Sequence, residues 1–121
     1  MLAVGEQMLG SLDDRTIMMT TGFSGGLGGT HDELCGALAG GVMLIGALHG
    51  RTRSDQDPSR CRGLAARYRE RFLARFGTTK CIELWDRGYG PQGRESCSIL
   101  VERAIPLLLQ VLATACEAEG K

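Results

Sequence analysis

Three cysteines lie at positions where helices are predicted to begin: Cys35, Cys81 and Cys97. A helix N-terminus presents unpaired N–H groups and the positive end of the helix dipole, and both stabilise a thiolate. The thiolate is the form that attacks disulfides and binds metals. A cysteine whose pKa falls from about 8.5 to about 7 is roughly half ionised at neutral pH. The pattern therefore predicts thiol chemistry and leaves its kind open.

One histidine stands close to this pattern. His31 precedes Cys35 by four residues, so the two would share one face of a helix that spans both. His31 could then bind a metal with Cys35 or stabilise its thiolate, and the alternative is a solvated side chain in the first helical turn. The sequence contains no CxxC pair. Any site must therefore be assembled from separate helices.

The sequence has five cysteines, and the other two are Cys61 and Cys116. We expect both to be core residues, because free cysteine is among the most buried side chains. The same interpretation is open for Cys35, Cys81 and Cys97. The last of these shares an apolar helical stripe with Val101, Ala104 and Leu108.

The sequence predicts an all-α fold, a small bundle of about five helices, since no segment alternates with a period of two. A helix from Thr30 to about Leu48 follows a glycine-rich turn at Gly22–Gly29, with Glu33 completing a capping box. This helix is rich in glycine and alanine, so we expect it to be central. Helices are also expected near 2–10, 17–21, 58–76, 79–86 and 95–117, the last kinked at Pro106.

Size and charge restrict the classes of function. The 121 residues fit one domain, 1–121, and their formal net charge is zero. The charge gives no support for binding nucleic acid or a membrane surface, and the arginine-rich segment 51–75 is expected to be a solvated helix face. The longest uncharged run, 34–48, is short for a membrane span. The N-terminus lacks a basic stretch followed by an apolar run, so a cytoplasmic location is expected.

Several of these residues together resemble a known family. They are Gly25-Gly26-Leu27-Gly28, then Cys35-Gly36-Ala37-Leu38-Ala39-Gly40, then the apolar run Val42–Gly46, and finally the single cysteines Cys81 and Cys97. Over roughly residues 2–116 the sequence resembles the C_GCAxxG_C_C family of bacterial and archaeal redox-active proteins. The family's first cysteine would fall ahead of Met1, next to Ala3-Val4. A four-cysteine cluster would then need Cys61, His31 or a second subunit to supply its fourth ligand.

The family is also similar to part of the split-Soret cytochromes c, whose haem lies between subunits. No haem-attachment sequence is present in this chain. The similarity therefore implies a homodimer rather than a haem protein.

Three hypotheses follow. The first is a thiol-based redox or electron-transfer protein with an unidentified redox partner, in which Cys81 and Cys97 are the nearer pair and Cys35 is the thiolate. The second is a metal or iron–sulfur protein that uses Cys35, Cys81 and Cys97, with His31 as a further ligand. The third is a structural or interaction domain whose cysteines are all core residues. The sequence does not decide whether the protein is an enzyme.

Overall fold

The computed structural model describes residues 2–90 and 96–119, with side chains at 4–90 and 96–114. These residues form six α-helices and one 3₁₀ turn, Thr21–Phe23. The helices are α1 Leu2–Leu9, α2 Asp14–Thr20, α3 Gly36–His49, α4 Ser59–Phe76, α5 Cys81–Asp86 and α6 Cys97–Glu119. The same residues contain no strand, and an isolated antiparallel bridge joins Leu34 to Lys80. The all-α prediction is confirmed.

The core is formed where α3, α4 and α6 pack against one another. Ile45 of α3, Tyr68 of α4 and Leu108 of α6 are fully buried there. The apolar side chains of α4 repeat at helical spacing, so one face enters the core while the arginines remain outside. Helix α3 contacts both longer helices and so forms part of this core, while the central position predicted for the glycine- and alanine-rich helix stays a prediction, since α4 also contacts both of the others.

Small residues allow α3 to approach α4 closely. A Cβ atom added to Gly41 would lie 2.4 Å from the ring of Tyr68, so only glycine fits without a shift. The Tyr68 hydroxyl donates a hydrogen bond of 3.0 Å to the Ala37 carbonyl. That bond satisfies the buried hydroxyl group of Tyr68. Burial raises the pKa of Tyr68.

The predicted start of α3 is wrong. The helix begins at Gly36 rather than Thr30, and Cys35 is its N-cap residue. The expected capping box is not formed, because the Thr30 hydroxyl donates to the carbonyls of Gly26 and Leu27 at 3.0 and 2.9 Å. His31 and Cys35 therefore do not share a helix face.

Helix α6 continues through Pro106. Its segment Cys97–Thr114 is, within the described residues, long and apolar enough to cross a membrane by length and composition alone. A core helix of a soluble protein passes the same test, and this segment supplies core residues: Leu100, Ala104, Leu108, Val111 and Leu112. The absence of a membrane partner stays a prediction.

Candidate thiol site

A short backbone pairing brings Cys35 and Cys81 together. Cys35 N–H donates to the Thr79 carbonyl at 2.8 Å, and Cys81 N–H donates to the Glu33 carbonyl at 2.9 Å. The two bonds flank the Leu34–Lys80 bridge. In such an antiparallel pairing Cys35 and Cys81 are diagonal neighbours on one side, a relation that separates positions by about 7–8 Å. Residues 46 positions apart in the chain thus reach one place.

The same loop supplies the cap of α5. The first N–H groups of a helix have no partner within it. Here Cys81 N–H bonds the Glu33 carbonyl, and Ile82 N–H bonds the His31 carbonyl at 2.8 Å. The residue before α5, Lys80, makes no side-chain cap bond. The position of Cys81 therefore depends on a segment that is distant in sequence.

The glycine-rich stretch forms a left-handed turn around this cap. Residues 25–29 all have φ between 63° and 74°, a region that costs other residue types about 1–2 kcal/mol each. Four of the five are glycine, and Leu27 is the exception. A Cβ at Gly26 would lie 2.7 Å from the Cβ of Cys81. Glycine at this position lets the loop pack directly on the cysteine.

His31 lies against Cys81 rather than Cys35. Its Nδ1 is 3.3 Å from Cys81 Sγ, and its ring lies 4.2 Å from the Trp85 ring, centroid to centroid. His31 itself has a φ of 64°. Its N–H donates to the Gly25 carbonyl at 2.8 Å. His31 is therefore fixed by its backbone hydrogen bond and by the contact of its ring with Trp85.

All three cysteines and His31 line one cavity of about 540 Å³. Most of the other lining side chains are apolar and come from α1, the α1–α2 link, α3, α5 and α6, among them Leu9, Leu12, Met43, Leu44, Leu84, Trp85, Leu100 and Val101. Cys81 is buried, Cys35 is half-buried and Cys97 is exposed. The thiols thus range from the interior of the cavity to its solvent side. The exposure of Cys97 differs from the core interpretation of that residue.

The electrostatics of Cys35 and Cys81 differ from the sequence-based expectation. Burial raises the pKa of Cys35, and this outweighs the hydrogen bonds from the Ala37 and Leu38 backbone N–H groups, which lower it. Burial also raises the pKa of Cys81, and a charge on Cys97 would raise it further. The helix start does favour the Cys35 thiolate, as expected, but the cost of removing its charge from water is larger.

The remaining cysteines are separate from this cavity or not described. Cys61 packs against the core from α4 and does not line the cavity, in agreement with its expected core position. The side chain of Cys116 lies outside the described residues.

The hypothesised metal ligands are near one another without forming a metal site. Within residues 4–90 and 96–114, no three His, Cys, Asp or Glu side chains lie close enough to hold one ion. As they are placed, His31, Cys35, Cys81 and Cys97 do not fit an ion or an iron–sulfur cluster. The metal alternative stays a prediction, which metal analysis of protein purified without oxygen would test.

Sequence reasoning missed two parts of this arrangement. Trp85 carried no signal, because a single tryptophan on a short helix is expected in a core. The pairing of His31 with Cys81 was hidden by the apparent capping box. The left-handed turn had a signal in the run of glycines, which indicates a tight turn without showing what it encloses.

The fold and the site define a small all-α protein with three thiols and one imidazole on a common cavity. The family model described as "Putative redox-active protein (C_GCAxxG_C_C)" matches residues 1–111, and the chain belongs to this family. The resemblance read from the cysteine pattern is thereby confirmed. No curated protein and no solved structure matches the chain significantly.

Proposed function

We propose that this protein exchanges disulfides with a redox partner, and that Cys81 and Cys97 form the reversible bond while Cys35 assists. One observation carries the proposal: thiols from three separate elements line one cavity, and all three are free. Membership in a family described as redox-active supports a redox role for these thiols. The alternative hypothesis, in which the cysteines only fill the core, does not require them to share a cavity.

Burial divides the roles between the two thiols. Cys97 is exposed and is the first residue of α6. A partner's disulfide can therefore reach Cys97 first. Cys81 is only 8% exposed, so it is shielded from a bulky partner and suited to the second, internal step.

The reaction balances in two steps. The Cys97 thiolate attacks one sulfur of the partner's disulfide, and the partner's other sulfur leaves as a thiolate and takes a proton. The Cys81 thiolate then attacks Cys97 Sγ, which forms the Cys81–Cys97 bond and breaks the mixed disulfide. Two thiols of this protein are oxidised to one disulfide, and the partner's disulfide is reduced to two thiols. The reverse sequence oxidises a partner.

Cys35 is placed to modulate this exchange. It lies on the same face of the Leu34–Lys80 pairing as Cys81 and lines the same cavity. Cys35 can therefore replace Cys97 as the disulfide partner of Cys81 when Cys97 is absent.

Thiol counting in a glutathione redox series tests the proposal. We expect two thiols per chain to be lost on mild oxidation and recovered on reduction. Cys81→Ala should abolish this loss, because Cys81 takes part in both possible bonds, and Cys97→Ala should slow it, whereas the matched control Cys61→Ala, outside the cavity, should retain it. Reversible oxidation that is unchanged in both Cys81→Ala and Cys97→Ala would contradict the proposal, as would the loss of no thiols in the wild-type protein.

A further inference from the structure

We infer that His31 is the general base and acid for Cys81, taking the thiol proton as Cys81 attacks and returning it to Cys81 when the Cys81–Cys97 bond is broken in the reverse reaction. The inference rests on the proposed disulfide exchange and assigns the proton transfer of its second step. It gives His31 a role toward Cys81 rather than the one expected beside Cys35.

The geometry supports a direct transfer. The 3.3 Å between His31 Nδ1 and Cys81 Sγ is within hydrogen-bonding range for sulfur. With its own proton on Nε2, the ring accepts the S–H proton through Nδ1. No intervening group is needed, and histidine is the side chain that most often acts as a general base in proteins.

The pair is also positioned from both sides. The His31 N–H and carbonyl are both used, by Gly25 and Ile82, and the ring lies on Trp85. Cys81 is fixed by its own N–H bond to the Glu33 carbonyl. Because the loop that carries His31 also caps α5, the backbone of His31 is fixed beside the helix that begins with Cys81.

The chemistry of a buried thiol explains why a base is useful here. Cys81 is shielded from water, and burial raises the pKa of its thiol. It therefore holds its proton at neutral pH and is a poor nucleophile unaided. A base in contact with the sulfur removes the proton only as the new S–S bond forms. The sulfur that leaves Cys97 takes its proton from solvent.

A two-phase reaction with dithiodipyridine, an aromatic disulfide that releases a coloured thiopyridone, tests the inference. The starting protein carries Cys35→Ala, Cys61→Ala and Cys116→Ala, which leaves Cys81 and Cys97. The first phase, attack on the reagent, depends on reagent concentration. The second phase, internal attack by Cys81, does not, and its product is the Cys81–Cys97 bond.

His31→Asn is the main variant. Asparagine tolerates a positive φ and still forms hydrogen bonds, but it does not accept a proton in this pH range. We expect the second phase to slow by about 100-fold with the first phase unchanged, whereas a slowing below about tenfold would overturn the inference. Slowing confined to the first phase would overturn it too. His49→Asn, a change of the other histidine at the end of α3, is the matched control and should leave both phases unchanged.

A rescue experiment keeps the test valid if His31→Asn alters the loop. His31→Gly accepts the same φ and leaves space beside the cavity, so added imidazole should restore the second phase in proportion to its concentration. A failure of imidazole to accelerate the folded His31→Gly protein would count against the inference. If no second phase occurs even with His31 intact, the proposed Cys81–Cys97 exchange itself fails, which distinguishes the two claims.

Discussion

At the scale of single residues, Gly26 determines how closely the loop approaches Cys81. It has a φ of 68°, and an added Cβ would lie 2.7 Å from both the Cβ of Cys81 and the Cα of His31. Gly28 has nearly the same conformation, with a φ of 64°, but an added Cβ there meets nothing within 4 Å. A comparison of substitutions at the two glycines therefore separates the free-energy cost of a left-handed backbone from the cost of the contact with Cys81 and His31.

Gly26→Ala should therefore cost more stability than Gly28→Ala. Both changes force alanine into the left-handed region, at about 1–2 kcal/mol, and only Gly26→Ala adds an overpacking cost of about 1–3 kcal/mol. Chemical denaturation of the reduced proteins measures the difference. Gly26→Ala should also slow formation of the Cys81–Cys97 disulfide. Equal losses of stability and equal disulfide rates in the two variants would show that the loop does not press on Cys81.

At the scale of elements, the contact between α3 and α4 holds the helix that follows Cys35. Gly41 lies against the Tyr68 ring, and the Tyr68 hydroxyl bonds Ala37 in the first turn of α3. The orientation of the α3 N-terminus, and with it the position of Cys35, depends on this packing. Gly46, on the same helix, has open space at its Cβ position.

Gly41→Ala and Gly46→Ala should change stability in opposite directions. Alanine favours a helix over glycine by up to about 1 kcal/mol, so Gly46→Ala should stabilise the protein. In Gly41→Ala the clash with Tyr68 should exceed that gain and leave a net loss of about 1–3 kcal/mol. Thermal unfolding of the two variants gives the comparison. Stabilisation by Gly41→Ala would contradict the close packing of α3 on α4.

The elements also show what the sequence could and could not reveal. Helical spacing on α4 and the glycine at its end, Gly77, are local signals, and the helix ends where they predict. The start of α3 was mispredicted because a capping box is also local, whereas residues 31–35 bond to Thr79, Cys81 and Ile82. A pairing between segments almost fifty residues apart cannot be predicted from the local sequence of either segment. The membership of Cys35, Cys81 and Cys97 in one cavity followed the family pattern, while the partner of His31 required the structure.

At the scale of the whole molecule, the buried Cys81 thiol and the half-buried Cys35 thiol link stability to pH. Burial raises the pKa of Cys35 and of Cys81, so the folded protein keeps both protons at a pH where the unfolded chain loses them. The unfolded state then binds fewer protons than the folded state, and stability falls as pH rises. This contribution is fully present below the unfolded cysteine pKa of about 8.5 and is lost as pH rises toward the folded values.

We expect the free energy of unfolding of the reduced protein to decrease above about pH 8.5, by up to about 1.4 kcal/mol per pH unit for each thiol. Replacing both thiols, in the double variant Cys35→Ala and Cys81→Ala, should flatten that decrease. Denaturation curves at several pH values under reducing conditions provide the measurement. A double variant with the same slope as the wild-type protein would show that these thiols are not held protonated by the fold.

Peptide mapping of the mildly oxidised full-length protein by mass spectrometry addresses the central claim most directly, because it reports which sulfur atoms meet. We predict one reversible linkage, between the peptides that contain Cys81 and Cys97, with Cys35 joined to Cys81 only when Cys97 is replaced. Linkage through Cys61 instead, or three unlinked cavity thiols under conditions that oxidise glutathione, would contradict the account.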